Sequence, residues 1–276
     1  MHWFLSGSLS VEKLTVNIRG LAASLQGKKL VHLSDFHYDG LRLADELLEE
    51  AIAVSNEAQP DLVLLTGDYV TTTPKPIHQL AQRLKKLQSR HGIYAILGNH
   101  DLYYRHSQQE ITASLTNIGI HVLWNEIAYP FGTDLPVVGI LDFYSPGFNP
   151  PLIFNQLDPS IPRIVLTHDP DTAAYLKTWR VDLQLAGHTH GGQIIIPGLG
   201  PILSYRSKII RKIPIKLRLR IPCLLKEYFV VRHWEWSQGL HRIGDNQLYV
   251  NRGLGTYFPG RIFCPPEVTV ITLEKE

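Results

Sequence analysis

Cysteine is scarce. The 276 residues contain two, Cys223 and Cys264, far apart and outside any C-x-x-C pattern. Neither a disulfide framework nor a thiolate zinc site is indicated, and a reducing cytoplasm is the expected compartment. Long apolar runs are also missing. No stretch approaches the roughly 18 uninterrupted apolar residues of a spanning helix, so any membrane role would be peripheral. The opening MHWFLSGSLSVEKL has a short apolar start but no basic n-region and no apolar core of sufficient length, so no signal peptide is expected. Charged residues make up only 19% of the chain and the formal net charge is +2. That mild basic balance by itself predicts neither a nucleic-acid binder nor an enzyme of acidic substrates. Internal repeats and low-complexity segments are absent. With 44% hydrophobic residues the chain can bury one substantial core, and a single domain over residues 1–276 is expected.

One absence is local. From Leu183 to Lys226 there is no acidic residue, while Arg206, Lys208, Arg211, Lys212, Lys216, Arg218, Arg220 and Lys226 alternate with Ile, Leu and Pro. This composition breaks the pattern of the rest and reads as an insertion or cap, placed at 197–240. For 205–226 three readings stand: a solvated loop, a peripheral membrane or lipid contact, and a nucleic-acid contact. The interleaved Ile and Leu, and the lack of an aromatic ladder among the basic residues, favour lipid over nucleic acid, and no nucleic acid is expected as a partner. Tyr228, Phe229, Trp234 and Trp236 follow closely and read equally as interfacial anchors or as core.

What is present is a series of short runs rich in Val, Ile and Leu: Lys29–Leu33, Asp61–Leu65, Gly92–Leu97, Pro136–Leu141, Arg163–Leu166 and Asp182–Leu185. They read as buried strands. Helical patterns lie between several of them, most clearly over Leu41–Ala58 and more weakly over Arg83–Gln88, Gln108–Asn117 and Asp171–Trp179. Alternating strands and helices predict a layered α/β fold. The β-rich stretches Gln247–Asn251 and Val268–Leu273 suggest a second sheet packed on the first.

Five of these strands run straight into metal-ligand chemistry. Lys29–Leu33 is followed by Ser34-Asp35-Phe36-His37, Asp61–Leu65 by Thr66-Gly67-Asp68, and Gly92–Leu97 by Gly98-Asn99-His100-Asp101. Arg163–Leu166 leads to Thr167-His168, and Asp182–Leu185 to Ala186-Gly187-His188-Thr189-His190-Gly191-Gly192. Loops at the C-terminal edge of an α/β sheet are where ligands bind. The candidates Asp35, His37, Asp68, Asn99, His168, His188 and His190 comprise two carboxylates, one amide carbonyl and four imidazoles. Such donors suit Mn, Fe, Zn, Co or Ni better than Ca. Two cations about 3.5–4 Å apart can acidify water and clamp a phosphate, which is what phosphoester hydrolysis demands. If residues 188–190 are extended, His188 and His190 project to one side, and Gly191-Gly192 lets the backbone turn close to the metals. Asp169 and Asp171 read as loop or cap residues of the next helix.

The ordered blocks D-x-H, G-D, G-N-H-D, T-H and G-H-T-H resemble those of the calcineurin-like metallophosphoesterases and cover about residues 30–195. The tail Asn251-Arg252-Gly253-Leu254-Gly255-Thr256 with Cys264-Pro265-Pro266-Glu267 resembles the bacterial branch called YkuE-like. The resemblance implies a four-layer α/β/β/α sandwich holding two divalent or trivalent metal ions, with Mn, Fe or Zn foremost. Asp35, His37 and His190 would hold one ion, Asn99, His168 and His188 the other, and Asp68 would bridge. His100 would contact the phosphate and protonate the leaving oxygen, with Asp101 orienting its ring. The implied reaction is in-line attack by a metal-held hydroxide on a phosphodiester or pyrophosphate. Relatives of this kind include enzymes of UDP-2,3-diacylglucosamine in lipid A synthesis, which a basic apolar cap would suit. The rivals are a general or cyclic-nucleotide phosphodiesterase and a scaffold that keeps the fold without catalysis.

Overall fold

The computed structural model describes residues 6–205, 213–214 and 230–276. Most of the basic stretch 205–226, and with it the middle of the insertion expected at 197–240, lies outside the described residues, as do Tyr228 and Phe229.

In chain order the strands are β1 (Ser10–Ile18), β2 (Lys29–Leu33), β3 (Leu62–Leu65), β4 (Ile93–Ala95), β5 (Ile120–Val122), β6 (Glu126–Ala128), β7 (Pro130–Thr133), β8 (Val137–Gly139), β9 (Ile164–Leu166), β10 (Leu183–Ala186), β11 (Ile195–Ile196), β12 (Gly200–Pro201), β13 (Gly239–Ile243), β14 (Asn246–Val250) and β15 (Glu267–Lys275). One six-stranded sheet has the order β1-β15-β2-β3-β4-β5, the second has the order β13-β14-β10-β9-β8-β6, and β11 and β12 form a small hairpin. Alternate residues explain why the central strands are continuously apolar. Leu30, Leu62, Leu64, Ile164, Leu166, Leu183 and Leu185 meet in a core between the sheets. Val31, Leu33, Val63 and Leu65 face the other way, toward helices Asp45–Glu57, Ile77–Leu84 and Ser107–Thr116. On the far side, Val138 and Val165 pack with Ile153, Phe154 and Leu176 of the short helices Pro150–Phe154 and Thr172–Leu176. The four layers are those expected. No helix among the described residues is long and apolar enough to cross a membrane.

Three elements differ from the sequence reading. β15 was expected to help build a second sheet but lies in the first, parallel to β1 and antiparallel to β2. β1 itself is not evident in the sequence, because its inward row carries Glu12, which pairs with Arg252 at 2.6 Å, and its outward row carries Val11. Such an edge strand shows no clean alternation. The helix expected at Arg83–Gln88 runs instead over Ile77–Leu84, where Ile77, Leu80, Ala81 and Leu84 bury one face directly after Pro76.

β2, β3 and β4 are mutually parallel, as are β9 and β10. Their C-terminal ends therefore deliver five loops to one edge of the two-sheet stack, and that edge holds the site.

Candidate metal centre

The chain turns sharply as each strand ends. Asp35, His37, Asp68, His188 and His190 all take left-handed backbone, with φ of 51°, 43°, 57°, 71° and 50°. Residues with a side chain rarely accept that conformation, and it concentrates where surrounding structure enforces it for function. Here backbone hydrogen bonds enforce it. Asp35 N–H donates to Gly67 O and His37 N–H to Asp68 O, both at 2.9 Å. His188 N–H donates to both Asp35 carboxylate oxygens at 3.0 Å, which ties a loop of the second sheet to one of the first.

Six of the seven residues fall into two adjoining groups of donors, and His100 lies close to His37 and Asp68. In one, His190 Nε2 lies 3.0 Å from His37 Nε2 and 3.5 Å from Asp35 Oδ1. In the other, His188 Nδ1 lies 3.2 Å from His168 Nε2. Asp68 Oδ2 faces both, 3.4 Å from His37 Nε2 and 3.1 Å from His168 Nε2. Each group brings its ligand atoms close enough to share one ion.

Every ring has its other nitrogen occupied, and in His168, His188 and His190 the partner is a carbonyl, so that nitrogen carries a proton. His168 Nδ1 donates to Thr66 O at 2.7 Å and His190 Nδ1 to Gly255 O at 3.1 Å. His188 uses the opposite nitrogen, Nε2 donating to Val230 O at 2.8 Å, so its Nδ1 points inward. His37 Nδ1 meets the Tyr257 hydroxyl at 3.0 Å. Arg261, itself buried, donates to the carbonyls of Arg252, Gly253 and Gly255 and so holds the loop that presents Gly255 O.

The residues present fit a metal. Asn99 Oδ1 is buried and has no hydrogen-bond partner among the described residues, an arrangement that is costly unless a cation or water accepts its lone pairs. Burial lowers the pKa of both His37 and His190 to about 3, so these rings are neutral and able to donate a lone pair to a metal. Burial also opposes the charged forms of His168 and Asp68, yet their mutual attraction wins. It holds His168 well above and Asp68 well below the ordinary values. A carboxylate that is anionic without its metal is ready to take one.

Two readings need correction. Asp101 does not orient His100. Its carboxylate accepts the backbone N–H groups of Asp68 (2.8 Å), Tyr69 (2.9 Å), Val70 (3.3 Å) and Gly98 (2.9 Å), clamping the β3 loop to the β4 loop. Burial and the Asp68 charge push its pKa up to about 8 against the pull of those donors. The His100 ring is held by Thr71 O, 2.6 Å from Nδ1, and its main-chain N–H donates to Asp68 Oδ1 at 2.9 Å. Residues 188–190 are not extended. Left-handed backbone sends His188 and His190 to different groups of donors, and both Gly191 and Gly192 then turn with positive φ. Asp171 stands at a helix N-terminus, but its carboxylate accepts the N–H groups of Arg232 (2.6 Å) and His233 (3.0 Å) and fastens the segment that carries Val230.

The sequence reading missed the residues that act through backbone carbonyls, which no residue type announces. It also missed Tyr257 and Arg261, which lie between the two quoted pieces of the C-terminal tail. Two glycines matter by close approach. A Cβ on Gly98 would overlap the Asp68 carboxylate, and one on Gly187 would overlap that of Asp35.

Comparison with known proteins agrees with this geometry. The calcineurin-like phosphoesterase family model matches residues 28–192. The chain is 30% identical over 250 residues to the phosphodiesterase YaeI of Escherichia coli, covering 89% of this chain and 82% of that protein. It is 32% identical over 258 residues to the metallophosphoesterase YkuE of Bacillus subtilis, covering 90% and 80%. To the UDP-2,3-diacylglucosamine pyrophosphatase LpxG of Chlamydia muridarum it is 27% identical over 299 residues, covering 90% and 84%. Matched over more than half its length, the chain belongs to the calcineurin-like phosphoesterases and is a hydrolase of phosphoric esters.

Proposed function

We propose that the seven residues hold two metal ions and that the enzyme cleaves a phosphodiester or pyrophosphate bond. The observation that carries this reading is the position of Asp68, whose Oδ2 is the one carboxylate oxygen facing both His37 and His168. Asp35, His37 and His190 make one site, Asn99, His168 and His188 the other, and Asp68 joins them. Bound there, the ions would supply an acidified water and positive charge beside the phosphoryl oxygens. The chain's own part is to place and neutralise. His37 and His190 are held neutral, which limits repulsion of a cation, and His168 would give up its proton to an ion placed beside Asp68. His100, with Nδ1 held by Thr71 O, has Nε2 free to meet a phosphoryl oxygen and to hand a proton to the leaving oxygen.

The test is hydrolysis of p-nitrophenyl phosphate and of its bis ester with Mn²⁺, by wild type and Asp68→Ala. The reading expects the bis ester to be hydrolysed and Asp68→Ala to lose the activity. An unaffected Asp68→Ala would refute the bridging role, and inactivity with every metal would favour a scaffold.

For the natural substrate, we propose an acylated sugar nucleotide contacted through the basic apolar stretch 205–226. The likeness to LpxG and the composition of that stretch support it. Release of the nucleoside monophosphate from UDP-2,3-diacylglucosamine is the measurement. Hydrolysis of simple diesters without it would leave a general phosphodiesterase, as the likeness to YaeI suggests.

A further inference from the structure

Beside the metal centre the protein exposes apolar side chains that nothing in the hydrolytic reading uses. The hairpin of β11 and β12 follows directly on the His190 loop, and the 257–263 loop pairs with its outer edge. Ile195 N–H donates to Ile262 O at 3.0 Å and Ile262 N–H to Gln193 O at 2.8 Å. These adjacent segments expose Ile196, Leu199, Ile202, Phe258, Ile262 and Phe263. Phe258 is 91% and Phe263 is 72% exposed, more than scattered surface apolar residues require.

Phe263 is exposed against backbone strain. Its φ is 53°, a conformation a bulky residue adopts only when its neighbours impose it. They do so on both sides. Ile262 is held in the pairing with Gln193 and Ile195, and Cys264, buried, contacts His190 O with Sγ at 3.3 Å. The same loop reaches the metal ligands through Tyr257, whose N–H donates to Gln193 Oε1 at 2.6 Å and whose hydroxyl meets His37. The apolar rim and the candidate ligands are thus joined by one chain of hydrogen bonds.

We infer that this rim is a docking surface for an anionic lipid bilayer, which brings the metal centre to the membrane surface. The occupant is chosen by charge. The chain leaving the rim at Tyr205 carries eight Lys and Arg between 206 and 226, and there is no Asp or Glu from 183 to 226. A second copy would bring a segment of the same charge sign. An anionic bilayer would attract the Lys and Arg while the aromatic and branched side chains enter its interface.

The test is co-sedimentation of the full chain with phosphatidylcholine vesicles, with and without phosphatidylglycerol. The variant pair is Phe258→Ser and Phe263→Asn, since Asn tolerates positive φ. Binding is read without turnover, so the result stands apart from the outcome of the hydrolysis assays. Thermal unfolding of the variants checks that they fold. The expected result is binding that needs phosphatidylglycerol, weakens with salt and falls at least about tenfold in the double variant. No binding by wild type, or binding equal in the folded variant, overturns the proposal. A dimer in solution that the substitutions dissociate overturns it too and assigns the rim to a second copy. Should Phe258→Ser with Phe263→Asn not fold, Leu199→Ser with Ile202→Ser provides the same comparison on the hairpin.

Discussion

The Tyr257 hydroxyl lies 3.0 Å from His37 Nδ1, and the two residues are 220 positions apart in the chain. The contact holds the ring with Nε2 on the side of Asp35, Asp68 and His190. The Arg42 guanidinium lies 4.7 Å from the centre of the Tyr257 ring and steadies it from the other face. A residue from the last connection of the fold therefore orients a candidate ligand presented by the second strand.

Tyr257→Phe removes that hydrogen-bond partner while keeping the ring. Metal affinity, read by calorimetric titration of the apo protein, is expected to weaken by about 10- to 100-fold, as for other partners of metal-binding histidines. Activity at saturating metal should fall much less. Unchanged affinity would show that burial alone orients His37.

Asp101→Asn separates a structural clamp from a catalytic helper. The amide NH2 would face backbone N–H groups now accepted by a carboxylate oxygen, so the folded state should lose about 1–3 kcal/mol. Denaturant unfolding would show this as a lower midpoint at unchanged slope. If kcat collapsed while stability held, Asp101 would be acting on the reaction and not on the loops.

Gly98→Ala and Gly187→Ala each place a methyl group where the carboxylate of a candidate ligand now sits. Displacing Asp68 or Asp35 by about 1 Å is expected to lower activity about 100-fold. Retained circular dichroism with reduced metal content would locate the damage at the site. Normal activity in Gly98→Ala would mean that Asp68 is not held as tightly as the contacts indicate.

Asp61 gives the stability its clearest pH dependence. Burial opposes its charge, but the Lys29 N–H and the Lys28 ammonium, both at 2.9 Å, hold its pKa below the usual carboxylate range. A depressed folded-state pKa stabilises above the unfolded value, near 3.9, and the benefit is lost as pH falls through the folded value. Wild type should exceed Asp61→Asn by about 1–2 kcal/mol at neutral pH. The gap should close as the pH drops below about 4. A gap independent of pH would remove the charge from the explanation.

Much of the site was legible because its donors are side chains with distinctive chemistry at strand ends. The structure brings Asp35, His37, Asp68, His168, His188 and His190 together, and naming them as candidates needed only the recognition that buried apolar runs terminate there. The same signal located the central strands and three of the helices. It failed where residues act by position. Asp101 looks like a partner of the adjacent His100 in sequence, yet folding turns its carboxylate toward four N–H groups of two loops. β15 carries an ordinary apolar run, and nothing local says which sheet it joins.

By itself, then, the amino-acid sequence determined the reaction class, because donor type and order are local properties of five short segments. Only the tertiary structure decided how those donors divide, with Asp68 facing both groups, and which nitrogen of each imidazole points inward. Those choices are made by the carbonyls of Thr66, Val230 and Gly255 and by the Tyr257 hydroxyl. A carbonyl is the same group in every residue, so its service to a histidine a hundred positions away becomes visible only when packing brings the two together.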